Sequence, residues 1–185
     1  MNTVLKSKTV IVILSMLLIV ACRNSTKNAD NAVADEQEET YTNPILPKGN
    51  KPWAIFKNGY YYYTQETGHN IEIWKTKDLT ELASAEHKEV WKPVDPKASH
   101  NIWSPEIHFI DGKWYLYYEA DDGNSDNHQI YVAENSAKDP FEGKFIAKGR
   151  ISTDKDNNWG IHPSVVMLNG SLYMTWSGWQ SRRVS

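Results

Sequence analysis

The sequence predicts an all-β fold of the propeller type, and three observations carry that reading. Three stretches align without gaps: Pro52 to Tyr63, Pro105 to Leu116 and Pro163 to Met174. In each, a Gly stands seven positions after the Pro and a Tyr three positions after the Gly. At the centre of each lies Asn58-Gly59, Asp111-Gly112 or Asn169-Gly170. Such dipeptides favour two-residue hairpins because both central residues take positive φ. The third observation is negative, since no long segment shows a helical period. Units recurring every fifty to sixty residues or so are repeated supersecondary elements, and antiparallel units of that size fit propeller blades. A β-sandwich would accommodate the hairpins but not their shared Pro-to-Gly register.

Taken in chain order, residues 1–21 read as a lipoprotein signal peptide. Lys6 and Lys8 form a basic start, and Val10 to Val20 is an apolar run broken only by Ser15. At about eleven residues the run is too short to span a bilayer as a mature helix and suits a signal core. It ends Ile19-Val20-Ala21-Cys22, which resembles a bacterial lipobox, and Cys22 is the single cysteine of the chain. Residues 22–40 therefore read as a lipidated Cys followed by a flexible acidic tether, too polar to offset the entropy of ordering.

Residues 41–185 read as a globular domain. The chain has 8 Trp, 10 Tyr and 4 Phe, and every one of them falls in this segment; disordered chains are poor in such residues. A single cysteine excludes a disulfide framework and a Cys-rich zinc site. With 20 basic and 23 acidic side chains and a net charge of -3, no basic face exists for nucleic acid.

Within this domain each hairpin is followed by further strand. Ile71 to Lys75 follows the first and Gln129 to Glu134 the second, with Asp78-Leu79 and Asp139-Pro140 as breakers. In a propeller the first strand of each blade lines the axis. Lys51-Pro52, Ser104-Pro105-Glu106 and His162-Pro163 should therefore converge, though they are far apart in sequence.

Several motifs then share an order and spacing: Asn43-Pro44-Ile45-Leu46-Pro47, the Trp53-to-Tyr63 hairpin, Asn70 to Lys75, Asn101-Ile102-Trp103-Ser104-Pro105-Glu106, Asp126-Asn127-His128 and Trp176-Ser177-Gly178-Trp179. Over residues 41–180 the chain resembles glycoside hydrolase family 43. The resemblance implies a five-bladed β-propeller, of which this chain would supply about two and a half to three blades. It implies hydrolysis of O-glycosyl bonds in arabinose- or xylose-containing polysaccharides, as in arabinofuranosidases and xylosidases. It also implies inversion of configuration by three carboxylates: a base, an acid, and one that tunes the acid. An inverting site holds a water on one face of the sugar and protonates the leaving oxygen on the other, with the two carboxyls about 6.5–9.5 Å apart.

The chain departs from that pattern. Lys51 stands at the base position and His162 at the tuning position, within Gly160-Ile161-His162-Pro163. The family's acid is a Glu of the following blade, beyond Ser185. The expectation is a carbohydrate-active lipoprotein of the bacterial envelope, inactive as this truncated chain. The alternatives are a non-catalytic glycan-binding lipoprotein and a product without function.

Individual residues carry two readings each. Lys51 as a cation cannot accept a proton unless burial lowers its pKa; the preferred role is a donor to sugar hydroxyls or a partner to an acidic neighbour such as Glu106. His162 titrates in the working range and is able to act as base or acid; the plainer reading is a histidine hydrogen-bonded in the channel. Glu106 borders the sugar pocket in the family without being one of its three catalytic carboxylates. Trp53, Trp103, Trp176 and Trp179 are candidate stacking platforms, Trp103 foremost, whereas Trp74, Trp91 and Trp114 read as core. Asp121 to Asp126 faintly resembles a calcium loop but lacks the distal Glu, so a hydrogen-bonded turn is preferred, and no metal or cofactor is expected. The expected partners are a polysaccharide or oligosaccharide and, through the anchor, a membrane. The complete protein is expected to be monomeric.

Lipidation at Cys22 predicts that Cys22→Ser moves the protein from the membrane fraction to the soluble fraction; unchanged fractionation of that variant would remove the anchor.

Overall fold

In the computed structural model, residues 40–179 are described. The signal peptide, Cys22 and nearly all of the tether lie outside those residues. Among the described residues, no helix is long and apolar enough to cross a membrane.

Among the described residues, ten strands form three antiparallel sheets. The first is β1 (Trp53–Lys57), β2 (Tyr60–Thr64), β3 (Ile71–Thr76) and β4 (Glu86–Trp91), paired in that order. The second is β5 (His100–Ile110), β6 (Lys113–Asp121), β7 (Gln129–Asn135) and β8 (Ile146–Arg150), again in sequence order. The third is a hairpin of β9 (Trp159–Leu168) and β10 (Ser171–Trp179). Two four-stranded meanders and a hairpin of equivalent register are two blades and part of a third. The sequence marked β3 and β7 but not β4 and β8. Glu86 to Trp91 and Ile146 to Arg150 are outer strands, mostly exposed, so they lack the apolar pattern that betrays a buried strand.

The hairpin turns follow from their residues. Asn58 and Gly59, Asp111 and Gly112, and Asn169 and Gly170 have φ of 53° and 80°, 48° and 82°, and 50° and 77°. Both central residues of each turn are thus left-handed, the type I′ condition that Asn, Asp and Gly tolerate best. Two short 3₁₀ turns, Leu79–Ser84 and Ser125–Asn127, are capped by Asp78 and Asn124 accepting from backbone N–H groups, in keeping with a chain of no helical period.

The principal core joins the first two blades. Ile71, Ile73, Ile102, Ile107, Trp114 and Leu116 are fully buried within it. Trp114 meets Tyr62 edge-on at 4.9 Å and Phe109 at 5.0 Å, so one indole bridges β2 and β5. Trp114 and Trp74 are core residues, as the sequence predicts, and Trp91 is half-buried. The β9–β10 hairpin is different, with Val166, Met167, Leu168, Leu172 and Tyr173 all exposed.

Polar ties complete the junction. The Trp53 indole N–H donates to the Ile107 carbonyl at 2.9 Å. Lys75 of the first blade pairs with Asp139 of the second, and the Tyr62 hydroxyl donates to the same carboxylate at 3.2 Å. Burial raises the Asp139 pKa, but the hydrogen bond from Lys75, the Phe141 N–H and the Lys75 charge outweigh it and hold the group below its ordinary value. A depressed carboxylate pKa means that the unfolded chain binds more protons. The stability from this tie is therefore complete above the unfolded value of about 3.9 and is lost as pH falls through the native range.

Asp139→Asn should lower the unfolding free energy by about 1–3 kcal/mol at pH 7. In urea denaturation, the gap between variant and wild type should close progressively below pH 4 or so; a gap independent of pH would exclude the ion pair as its origin.

Candidate functional site

The three repeat units converge at a cleft of about 360 Å³. Its lining consists of three equivalent triplets: Lys51-Pro52-Trp53 at the start of β1, Ser104-Pro105-Glu106 in β5, and His162-Pro163-Ser164 in β9. The convergence predicted from the Pro register is what the structure contains.

The backbone at each triplet is specialised. Lys51, Ser104 and His162, each just before its Pro, have φ of 47°, 42° and 52°. A non-glycine residue with positive φ is uncommon, and such conformations cost on the order of 1–3 kcal/mol each, so surrounding structure must hold them. The strand pairing breaks at the same places. Register shifts occur between Trp103 and Glu106 on β5 and between Thr175 and Ser177 opposite His162. A bulge of this kind bends the strand and redirects a side chain; here Ser104 and His162 are redirected so, and Lys51 precedes the first residue of β1.

Two carboxylates of the second blade hold the third. Glu119 of β6 is fully buried, and its Oε1 accepts the His162 backbone N–H at 2.6 Å. Glu106 Oε2 accepts the Val165 N–H at 3.2 Å and lies 2.9 Å from His108 Nε2. The expected pairing of Lys51 with Glu106 is not observed. Lys51 Nζ instead lies 3.0 Å from Glu66 Oε2. Glu106 is engaged by His108 and the β9 backbone, whereas Glu66 lies on the segment after β2, where its N–H donates to the Asn50 carbonyl at 2.9 Å.

Beneath the cleft lies a buried polar network. His128 is fully buried, with Nδ1 2.7 Å from Asp121 Oδ2 and Nε2 3.6 Å from Glu119 Oε2. Burial pulls the His128 imidazole below its usual range, against the upward pull of the Asp121 hydrogen bond and of the Glu119 charge. Asp121 also accepts both contacts of the Asn101 amide, at 3.0 and 2.9 Å, and the Gly123 N–H at 2.8 Å. Asp122 and Asn124 accept from backbone N–H groups within the Asp121-to-Asp126 loop, which forms a hydrogen-bonded turn. No cluster of three or more potential metal ligands occurs among the described residues.

The candidate tryptophans separate. Trp53 lines the cleft, with its ring 4.9 Å from that of His108. Trp103 stacks on His128 at 4.3 Å and carries Lys51 Nζ 4.9 Å from its ring centroid. Trp179 stacks on Trp159 at 5.0 Å at the far end of the β9–β10 ladder and does not line the cleft. Trp176 is 42% exposed on the same strand.

Sequence reasoning missed Glu66, His108 and Glu119; Ser104, expected at the axis, has a buried hydroxyl without a hydrogen-bond partner in the cleft wall. A charged residue inside the apolar run Trp114 to Ala120 was the available signal for Glu119, because such a residue is fully buried only when paired.

Chemically, the cleft offers an ammonium, an imidazole and one carboxylate around apolar Pro and Trp surfaces. That mixture of donors and acceptors suits a polyhydroxyl ligand.

The profile described as Glycosyl hydrolases family 43 matches residues 41–185, and the chain belongs to that family. An extracellular exo-alpha-(1->5)-L-arabinofuranosidase of Streptomyces avermitilis is 36% identical over 145 residues, covering 75% of this chain and 30% of that protein. Its namesake from Streptomyces chartreusis is 30% identical over 143 residues, covering 74% and 43%. The crystal structure of an alpha-L-arabinofuranosidase from Lactobacillus brevis superposes with a TM-score of 0.69 at 29% identity, covering 75% of this chain and 46% of that one. The Cellvibrio cellulosa alpha-L-arabinanase shares the fold, at a TM-score of 0.52 and 20% identity over 70% of this chain and 44% of that one. The fold is the five-bladed propeller, and the chain spans less than half the length of these relatives.

Glu119→Ala leaves the His162 N–H unpaired and should cost about 1–3 kcal/mol of stability in urea denaturation. Glu119→Gln keeps an acceptor in place and should lose less; equal losses would mean that the charge, and not the hydrogen bond, matters.

Proposed function

We propose that this protein recognises arabinose- or xylose-containing polysaccharide through the axial cleft. We further propose that it does so from the cell envelope, held by a lipid on Cys22, and that the cleft as built binds sugar without hydrolysing it at an appreciable rate. Family membership and the arabinofuranosidase names of its relatives support the ligand class. The relatives called extracellular support export.

One observation carries the restraint on catalysis. Lys51 and His162 occupy the cleft wall at the positions where the family resemblance calls for the base and the tuning carboxylate. A water is activated by a group able to take its proton. An ammonium paired with Glu66 at 3.0 Å is a donor. General acid and base groups each contribute about 10²–10⁴-fold. With a donor in place of the base, orientation and binding remain.

Lys51 supplies donors to ring and hydroxyl oxygens of a bound sugar, and Trp53 supplies an apolar wall. Glu106 keeps one carboxylate oxygen on His108 and the Val165 N–H, and its other oxygen is available to accept from a hydroxyl.

A second reading is hydrolysis with His162 as the proton acceptor. The observation favouring it is the exposed His162 side chain on the cleft wall, since an imidazole nitrogen is able to take a proton from water.

The two readings differ in a single assay. On an aryl arabinofuranoside, an aryl xyloside and arabinoxylan, the binding reading predicts negligible sugar release together with saturable oligosaccharide binding. Turnover that falls at least 100-fold in His162→Ala would establish the second reading and refute the first.

A further inference from the structure

We propose that a second glycan-binding site lies away from the axis, between the first and second blades, and that it holds a short stretch of the same polysaccharide. The ligand class rests on the reading of the axial cleft; the site itself does not.

The site is a cleft of about 430 Å³, within the range of roughly 300–1,000 Å³ typical of small-molecule sites. Its floor is one cross-strand row of the second blade, Tyr118 on β6, Tyr131 on β7 and Arg150 on β8, placed side by side by the strand register. The two tyrosine rings stack at 5.9 Å. Its wall is Trp91 at the end of β4, followed by the exposed Val94 of the connection to β5. Every wall thus belongs to two complete four-stranded blades.

The polar groups suit a polyhydroxyl ligand. Arg150 is exposed and makes no ion pair or side-chain hydrogen bond among the described residues, so its five N–H donors face the cleft uncommitted. Asp95 on the rim offers carboxylate oxygens and does not pair with Arg150. The Trp91 indole N–H is buried beside the Tyr118 hydroxyl. Burial pushes the Tyr118 hydroxyl up to about 12, and burial also raises that of Tyr131; both stay protonated at neutral pH, and the Tyr131 hydroxyl donates to the Lys97 carbonyl at 3.3 Å. The Arg150 donors and a carboxylate acceptor around an aromatic floor match a sugar, whose hydroxyls donate and accept at the edge while its ring presents an apolar face. A purely apolar ligand would leave Arg150 without a partner, at a cost. An isolated anion would gain nothing from the aromatic floor and would meet Asp95.

The experiment is calorimetric titration of the 185-residue protein with α-1,5-linked arabinopentaose and, separately, xylopentaose. The wild type should show two binding events. Arg150→Ala and Tyr131→Ala should each weaken one event by about tenfold or more and leave the other unchanged, with Arg150→Lys intermediate. Lys51→Ala should do the reverse. As an independent readout, arabinopentaose should shift the Trp91 indole N–H resonance in the Lys51→Ala protein. Wild-type affinity and stoichiometry in Arg150→Ala and Tyr131→Ala, or loss of all binding in Lys51→Ala, would overturn the second site and leave the axial reading standing. Binding that disappears in Arg150→Ala and is untouched in Lys51→Ala would overturn the axial reading and leave the second site. No binding of either sugar by the wild type would overturn both.

Discussion

The geometry of the axial cleft depends on two carboxylates that leave their own blade to hold the next one. Glu119 and Glu106 project from β6 and β5, and both accept backbone N–H groups of β9. One of those N–H groups belongs to His162, which is left-handed and precedes a proline. A residue in that conformation has lost its place in a regular ladder, and its N–H would be unsatisfied. A buried carboxylate oxygen meeting that donor satisfies it, and charge-assisted bonds of this kind are about twice as strong as neutral ones. The other Glu119 oxygen lies 3.6 Å from His128 Nε2, beyond hydrogen-bonding distance, beside the His128–Asp121 pair under the Trp103 ring. The strain at the blade start and the burial of the acidic groups therefore offset one another.

That arrangement separates the architecture of the site from its chemistry. Left-handed backbone before proline brings three side chains to the axis whatever those side chains are. Lys51, Ser104 and His162 occupy equivalent places, and the surrounding bonds engage their backbones and neighbours and leave the side-chain tips largely alone. A cleft built this way keeps its shape whichever side chains occupy those places. Lys51 carries a charge, which Glu66 meets at 3.0 Å.

Aromatic residues do three separate jobs, which composition does not distinguish. Trp114 lies at the junction of the first two blades with no exposure. Trp53 joins those blades through its N–H and presents its ring to the cleft. Trp91, Tyr118 and Tyr131 line an open cleft and are part of no axial contact. The same amphipathic rings serve a dry junction or a wet cleft according to the partner that the strand register supplies.

The sequence by itself determined the all-β class, the hairpins and the convergence of three triplets. Those features follow from local rules: Asn-Gly and Asp-Gly demand left-handed φ, and a repeated register makes equivalent residues equivalent in space. The resemblance carried by motifs such as Trp103-Ser104-Pro105-Glu106 was legible for the same reason, because it is contiguous. Outer strands β4 and β8 escaped notice, since an exposed edge carries no apolar period. The partners of the site residues were decided only by tertiary structure. Lys51 pairs with Glu66, while Glu106 meets His108 and the β9 backbone. Glu119 reaches a residue 43 positions away, and no local signal reports on a contact made when two blades pack side by side.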